Sequence, residues 1–242
     1  MQLPETLDGW LNVLEARHTQ TIQLGLDRVR AVRDALQLPQ TCPVITVGGT
    51  NGKGSTCALL ESVLLAAGYR VGVYTSPHLL RYIERVRIDG RDAPDALLVD
   101  AFGEVERARG EIPLTYFEHG TLAAWAAFSR SGLDAIILEV GLGGRLDAVN
   151  VFEPDCAIVT SVAMDHMDFL GDTREAIGFE KAGIFRGGRP AICSDPMPPE
   201  SLIAHAEAIG ANLWVSGRDF GFSGDQNQWA FWIAGGGRRG GL

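Results

Sequence analysis

Short apolar runs recur along the middle of the chain: VITV (44–47), VGVYT (71–75), AIILEV (135–140), CAIVT (156–160) and PAIC (190–193). They are nearly continuous rather than alternating, the pattern of strands buried on both faces. Helix-like stretches separate them. One runs from about Lys53 to Ala67 and is stopped by Gly68, and others are predicted at 94–109, 118–131 and 173–183. VITV, the helix after it and VGVYT form a β-α-β unit. The alternation predicts an α/β fold, a mostly parallel sheet with helices on both faces. Upstream, Trp10, Leu11, Val13 and Leu14, then Leu26, Val29, Val32 and Leu36, predict a helical segment over 1–40, closed by Pro39 and Pro43. Asp172 with Glu175 three residues on predicts a capping box for the helix carrying Lys181. After 216 the pattern changes. The tail, 217–242, is glycine-rich, holds one strand candidate, WAFWI (229–233), and finishes in GGGRRGGL, as in a loose terminus or the first part of a longer protein. The sheet region is thus expected to occupy 41–216.

With 242 residues and 46% hydrophobic content, the chain is long enough to bury a sizeable core. A formal net charge of −9 argues against a general nucleic-acid binder, which needs a basic surface. Cys42, Cys57, Cys156 and Cys193 are widely spaced, without a C-x-x-C pair, which fits a reducing cytoplasm. MQLPETLDGW lacks a signal-peptide pattern, and no apolar stretch reaches membrane-spanning length. No membrane partner is expected, and the protein is expected to be cytoplasmic and monomeric.

The stretch VITVGGTNGKGSTCALLE (44–61) sets candidate chemistry on this frame. A buried strand passes through glycines into a helix, so backbone amides from Thr50 to Ser55 can converge on an anion. The helix dipole adds to the field and Lys53 supplies a mobile charge. A nucleotide phosphate is the expected cargo. The common phosphate-loop pattern places glycine five residues before the Gly-Lys pair and Ser or Thr after it; here Val47 and Gly54 hold those positions, so this is a variant. A plain β-α turn binding nothing remains the alternative from the residues alone.

Parallel strands deliver their carboxyl ends to one edge, where ligands bind. Ser76 follows VGVYT, Glu139 closes AIILE and His166 follows CAIVTSVAMD, so all three are expected to crowd the loop. A hydroxyl, a carboxylate and an imidazole are plausible Mg²⁺ ligands. A strand-end salt bridge for Glu139 and a loop histidine for His166 are the competing readings. Lys181, after a glutamate on a capped helix, reads on its own as a solvated surface residue. Tyr116 and Phe117 can stack on a flat heterocycle while Glu118 accepts ring N–H bonds, or they can be core residues at a helix start. In GLGGRLDA, Arg145 or Asp147 can orient a substrate or shape a turn.

GTNGKGS (49–55), YTSPHL (74–79), ERVRI (84–88), LTYFEHGT (114–121), LEVGLGGRLDA (138–148), TSVAMDHMDFLG (160–171) and EKAGIFR (180–186), in this order, resemble folylpolyglutamate synthase/dihydrofolate synthase, the folate branch of the Mur ligase family. The resemblance runs from about residue 10 to at least 215 and implies a Mur ligase-like ATPase domain over 41–216. It assigns ATP to Gly49, Thr50, Asn51, Gly52, Lys53, Gly54 and Ser55, and two Mg²⁺ sites to Ser76, Glu139, His166 and Lys181. Lys181 is implied to be an N6-carboxylysine, a cation turned into a metal-binding carboxylate. Dihydropteroate or folate is placed against Ile22, Gln23 and Leu24, against Thr115, Tyr116, Phe117 and Glu118, and against Leu146, Asp147 and Ala148. The implied reaction is ATP-dependent: a pteroate or folate carboxylate becomes an acyl phosphate that L-glutamate attacks. Lys53 acts on charge, and His166 and Lys181 organise metal. The rivals are a Mur-type cell-wall precursor ligase and a noncatalytic nucleotide-binding module. Two departures stand out: DAVN in place of the more usual DATN, and Phe179 where a polar or basic residue is common. The C-terminal Rossmann-like domain of the family has no equivalent in these 242 residues.

Overall fold

The structure, a computed structural model, describes residues 3–17, 23–224, 228–236 and 238–240. Its centre is an eight-stranded sheet. In chain order the strands are β1 (Val44–Gly48), β2 (Val71–Tyr74), β3 (Val86–Ile88), β4 (Arg91–Asp92), β5 (Ala135–Glu139), β6 (Cys156–Val159), β7 (Pro190–Cys193) and β8 (Asn212–Val215). They lie side by side as β4-β3-β2-β5-β1-β6-β7-β8. The six from β2 to β8 run parallel, and β3 and β4 add an antiparallel edge to β2. β1 sits between β5 and β6, with Val47 opposite Glu139 and Gly48 opposite Val159. The phosphate-loop candidate therefore leaves the sheet at its middle, with Glu139 on the neighbouring strand.

Alternate residues of each central strand go to opposite faces, as the pleat requires. Ile136 and Leu138 join one core and Ile137 the other. On the smaller side Val47, Val71, Val73, Ile137 and Ile158 pack with Cys57, Leu60 and Leu64 of α3 (Lys53–Ala66). On the larger side lie α1 (Leu7–Arg17), α2 (Asp27–Leu36), α4 (Asp95–Arg109) and α5 (Tyr116–Ser129). Trp10 stacks on Phe102 and both contact the buried His119, while Val29 and Val32 are fully buried in the same core. Among the described residues before β1, α1 and α2 are the helices, and their buried side chains belong to the same core as the sheet. A fully buried side chain of this size contributes about 1.5–3 kcal/mol, so α1 is pinned by Trp10 and Leu14.

α6 (Met167–Leu170) is a single turn, and α7 (Arg174–Ala182) and α8 (Glu200–Ala208) complete the helices. The capping expectation at Asp172 is corrected. Thr173 is the N-cap, its hydroxyl accepting from the Ala176 amide at 3.1 Å. Glu175 instead accepts the amides of Glu200 and Ser201, capping α8 from outside. The tail holds more than one strand: β9 (Phe220–Gly224), β10 (Trp229–Ile233) and β11 (Arg238–Gly240) form an antiparallel sheet in the order β11-β10-β9.

Candidate active site

α3 has Gly52 as its N-cap, in the left-handed region with φ 83°. Its first turn is Lys53, Gly54 and Ser55, whose amides have no partner within a helix by construction. The Thr56 amide is the first to bond back, to the Gly52 carbonyl. The expected cradle is narrower at its start, because two amides are spent on the loop itself. Thr50 N–H donates to the Ser161 carbonyl at 2.8 Å and Asn51 N–H to Ser161 Oγ at 3.1 Å. The Thr160 hydroxyl donates to the Asn51 carbonyl at 2.7 Å, and the Thr50 hydroxyl exchanges bonds with Ala163. These ties strap the loop to the segment after β6. Gly49 makes the strap possible: at φ 140°, a Cβ there would lie 1.9 Å from Thr160 Oγ1. Lys53 Nζ folds back over the loop, donating to the Gly49 and Thr50 carbonyls at 3.1 and 3.3 Å.

Glu139 ends β5 almost wholly buried. Its Oε2 accepts the Ser76 amide at 3.1 Å, and a Cβ on Gly54 would be 4.0 Å from both its oxygens. Burial raises its pKa, with the Ser76 bond and the Lys53 charge opposing. Strand-end carboxylate, Ser76 and the α3 N-terminus thus meet, as the parallel sheet dictates. His166, left-handed at φ 47°, stays exposed beside Asp165 at 3.6 Å. Lys181 corrects the reading of its residues alone. It is 3% exposed rather than solvated. Burial lowers its pKa to about 8, helped by the Lys53 charge and opposed by Asp165. Asp165, beside His166 and acting on the Lys181 charge, has no role in the expectations from sequence.

A cavity of about 520 Å³ opens from Ser76, Pro77 and His166 toward Gln23, Leu24, Tyr116 and Phe117. Thr115, Glu118, Leu146, Asp147 and Ala148 also line it, so the three substrate segments expected from the sequence converge on one space. Ile22 lies outside the described residues. Glu118, expected to accept ring N–H bonds, already has a partner on each carboxylate oxygen. In a capping box with Thr115 it accepts the Thr115 amide at 2.7 Å, and Arg28 Nη2 donates to its other oxygen at 2.8 Å. Asp147 accepts the Leu142 and Val149 amides at 2.8 and 3.0 Å, and burial nevertheless pushes its pKa up to about 6. Val149 of the DAVN departure is fully buried, so a methyl replaces a hydroxyl without touching the cavity wall. Arg145 pairs with Glu180 at 2.7 Å and lies over the Phe179 ring, away from the cavity lining. Arg85 and His78 also line the cavity, Arg85 Nε donating to His78 Nδ1 at 2.8 Å. The only sequence signal for them was their place in the ERVRI and YTSPHL blocks.

A strand-loop-helix phosphate cradle, a buried carboxylate against the helix start and an aromatic cavity beside both can hold a nucleotide, a divalent cation and a flat substrate together. Among the described residues no cluster of three or more His, Cys, Asp or Glu side chains gathers as a metal cage. Mg²⁺ is ordinarily held by one or two carboxylates plus phosphates and waters, so Glu139 and the Ser76 hydroxyl fit it.

Comparison with known proteins gives the same frame. The chain is 52% identical over 231 residues to the dihydrofolate synthase/folylpolyglutamate synthase of Escherichia coli strain K12, covering 95% of this chain and 55% of that protein. It is 51% identical over 230 residues to the Haemophilus influenzae protein of the same name, covering 94% and 52%. Its fold superposes on E. coli FolC in complex with DHPP and ADP with a TM-score of 0.94, at 51% identity, over 98% of this chain and 57% of that one. A bifunctional folylpolyglutamate synthase/dihydrofolate synthase with Mn, AMPPNP and L-glutamate bound gives a TM-score of 0.92 at 49% identity, over 100% and 59%. The chain spans about half the length of the curated relatives it matches. Residues 47–219 match the Mur ligase middle domain, and with the cradle, the strand-end carboxylate and the cavity in the positions described, the chain belongs to the Mur ligase family.

Proposed function

We propose that this chain is the nucleotide- and acyl-substrate-binding part of an ATP-dependent ligase joining L-glutamate to dihydropteroate, to folate polyglutamate, or to both. The observation that carries the reading is the cavity lined by Tyr116 and Phe117 and also by Ser76, whose amide donates to the Glu139 carboxylate beside the start of α3. A volume of about 520 Å³ with two aromatic side chains in its wall suits a flat heterocycle, and a carboxylate at its Ser76 end would face the nucleotide. The relatives' names and the DHPP, ADP, AMPPNP and L-glutamate in their structures support the same class.

In this reading the amides of Lys53, Gly54 and Ser55 cradle the phosphates. Lys53 leaves its two loop carbonyls for the nucleotide and neutralises charge on the transferring phosphoryl group. Ser76, Glu139, His166 and Lys181 would hold two Mg²⁺ ions, which when bound would supply charge neutralisation at the phosphates. Lys181 binds metal only as its carbamate, because an ammonium offers no lone pair. Burial supports that modification by making the neutral amine accessible near pH 8. The glutamate amine then attacks the acyl phosphate, forming the amide and releasing phosphate. Positioning and charge neutralisation carry the rate.

Formation of ADP that requires both dihydropteroate and L-glutamate tests the reading, with a UDP-linked cell-wall precursor as the competing acyl substrate. Turnover on the precursor alone would replace the folate assignment with the Mur-type one. The half-length span favours a second reading, a module that binds nucleotide and dihydropteroate without turnover. Binding without ADP release would select it.

A further inference from the structure

Arg85 stands apart among the arginines of the site. Arg28 is paired with Glu118, Arg145 with Glu180 and Arg174 with Asp195. Among the described residues Arg85 has no carboxylate within ion-pair distance, although it lines the cavity and is only part-exposed. Its carbonyl accepts the Thr75 amide at 2.9 Å, which hangs it at the carboxyl end of β2, beside Ser76. Its guanidinium lies 5.4 Å from the centre of the Tyr82 ring and 5.6 Å from that of Tyr116. Nε is committed to His78 Nδ1, and the side chain also bonds the Tyr74 hydroxyl. Two aromatic rings and two polar partners thus hold a cation rigidly on a cavity wall.

Among the described residues none of the acids of that wall pairs with this charge. Glu118 is taken by Arg28 and the Thr115 amide, and Asp147 by the Leu142 and Val149 amides. Glu15, the third, projects from the exposed face of α1. A fixed guanidinium of this kind is complementary to a planar carboxylate, which it can meet with parallel N–H bonds. His78 accepts through Nδ1, so its neutral ring carries the proton on Nε2 and supplies a second donor on the same wall.

We propose that Arg85, steadied by His78, Tyr82 and Tyr116, receives the carboxylate of the acyl substrate and sets it at the Ser76 end of the cavity for phosphoryl transfer. The inference rests on the acyl-ligase reading above. It assigns to Arg85 selection of a charged acyl substrate over an uncharged ring system of the same shape.

The test is a cycle between ligand charge and residue charge. Binding of dihydropteroate and of its decarboxylated analogue is measured by titration calorimetry on the 242-residue chain and on Arg85→Gln. Removing a charge-assisted pair is expected to weaken dihydropteroate about 10- to 100-fold while leaving the analogue unchanged. Arg85→Lys, which keeps the charge and loses the fork, is expected to fall between. A melt of each variant checks that it folds. If Arg85→Gln does not fold, the unsubstituted chain still decides: its preference for dihydropteroate over the analogue should shrink as NaCl rises. Equal loss for both ligands, or no loss for either, overturns the assignment and leaves the ligase reading intact. Failure of the unsubstituted chain to bind either ligand overturns both.

Discussion

The amide of Ser76 donates to Glu139 Oε2 at 3.1 Å, tying the turn after β2 to the tip of β5 across the parallel pair that precedes it. One carboxylate oxygen is spent on the scaffold; in the proposed function the other serves the nucleotide side. Glu139→Gln keeps an acceptor for Ser76 and removes the charge. Glutamate-dependent ADP formation is expected to fall by about 10²–10³-fold, the size typical of losing one preorganised electrostatic group. Stability should not fall. Burial raises the Glu139 pKa, so its charge weakens the fold increasingly as pH climbs above the unfolded carboxylate value. A lower melting temperature at pH 7 for Glu139→Gln would show that the carboxylate serves the fold and not the nucleotide.

Lys181 makes the same trade more strongly. It is a cation with 3% exposure whose pKa burial lowers to about 8. The folded state therefore holds fewer protons than the unfolded chain between about pH 8 and the ordinary lysine value. Stability should rise with pH across that window, by at most roughly 3 kcal/mol. Lys181→Met is expected to raise the melting temperature at pH 7, to flatten its rise between pH 8 and 10, and to abolish turnover. Intact mass spectrometry with and without bicarbonate checks the carbamate directly. An unmodified lysine in an active preparation would remove Lys181 from the metal set.

His119 was part of the LTYFEHGT block without any role of its own. It is 1% exposed, stacked on Phe102 and tilted against Trp10, and burial lowers its pKa to about 4. The neutral ring is the folded form. As pH falls from about 6.5 toward 4 the unfolded chain takes a proton that the folded chain refuses, so stability drops by roughly 3 kcal/mol over that range. Urea melts at pH 7, 5.5 and 4.5 should show the decline. His119→Phe, similar in shape and unable to titrate, should flatten it. An unchanged acid profile in His119→Phe would place the sensitivity on other groups.

The sequence made the central β-α-β unit, β5, β6 and β7 legible because buried parallel strands are short, apolar and punctuated by glycine. β8 escaped notice because NLWV is brief and half-exposed, and β3 and β4 because a short polar antiparallel edge lacks the buried-strand pattern. α8 carried a signal that was readable, Pro199 before Glu200 at a helix start. The cradle and Glu139 were legible for a topological reason: strand ends converge. Burial of Lys181 and the commitment of Glu118 to Arg28 depend on which helix faces meet, which a single segment does not encode. Arg85 is the plainest case. Within ERVRI nothing separates it from an ordinary surface arginine, and only the structure sets it on the cavity wall without an acid partner among the described residues.

Gly49 offers the sharpest test of the loop strap. Alanine there requires a backbone angle that side chains disfavour, and its Cβ would collide with Thr160 Oγ1 at 1.9 Å and crowd the Thr160 and Ser161 amides at 3.0 and 3.1 Å. The loop can relieve this only by moving away from the segment after β6, which breaks the Thr50–Ser161 and Asn51–Ser161 bonds. Gly49→Ala is therefore expected to destabilise the fold by about 2–4 kcal/mol, combining strain with lost hydrogen bonds. It should also lower magnesium-nucleotide affinity at least about tenfold, because the first turn of α3 loses its fixed position. Thr160→Ala in the same chain removes the colliding hydroxyl and the bond to the Asn51 carbonyl. If the collision sets the loss, the double variant recovers part of the affinity that Gly49→Ala removes. If the double variant is no better than Gly49→Ala, the backbone angle at residue 49 is the controlling element and the strap is secondary.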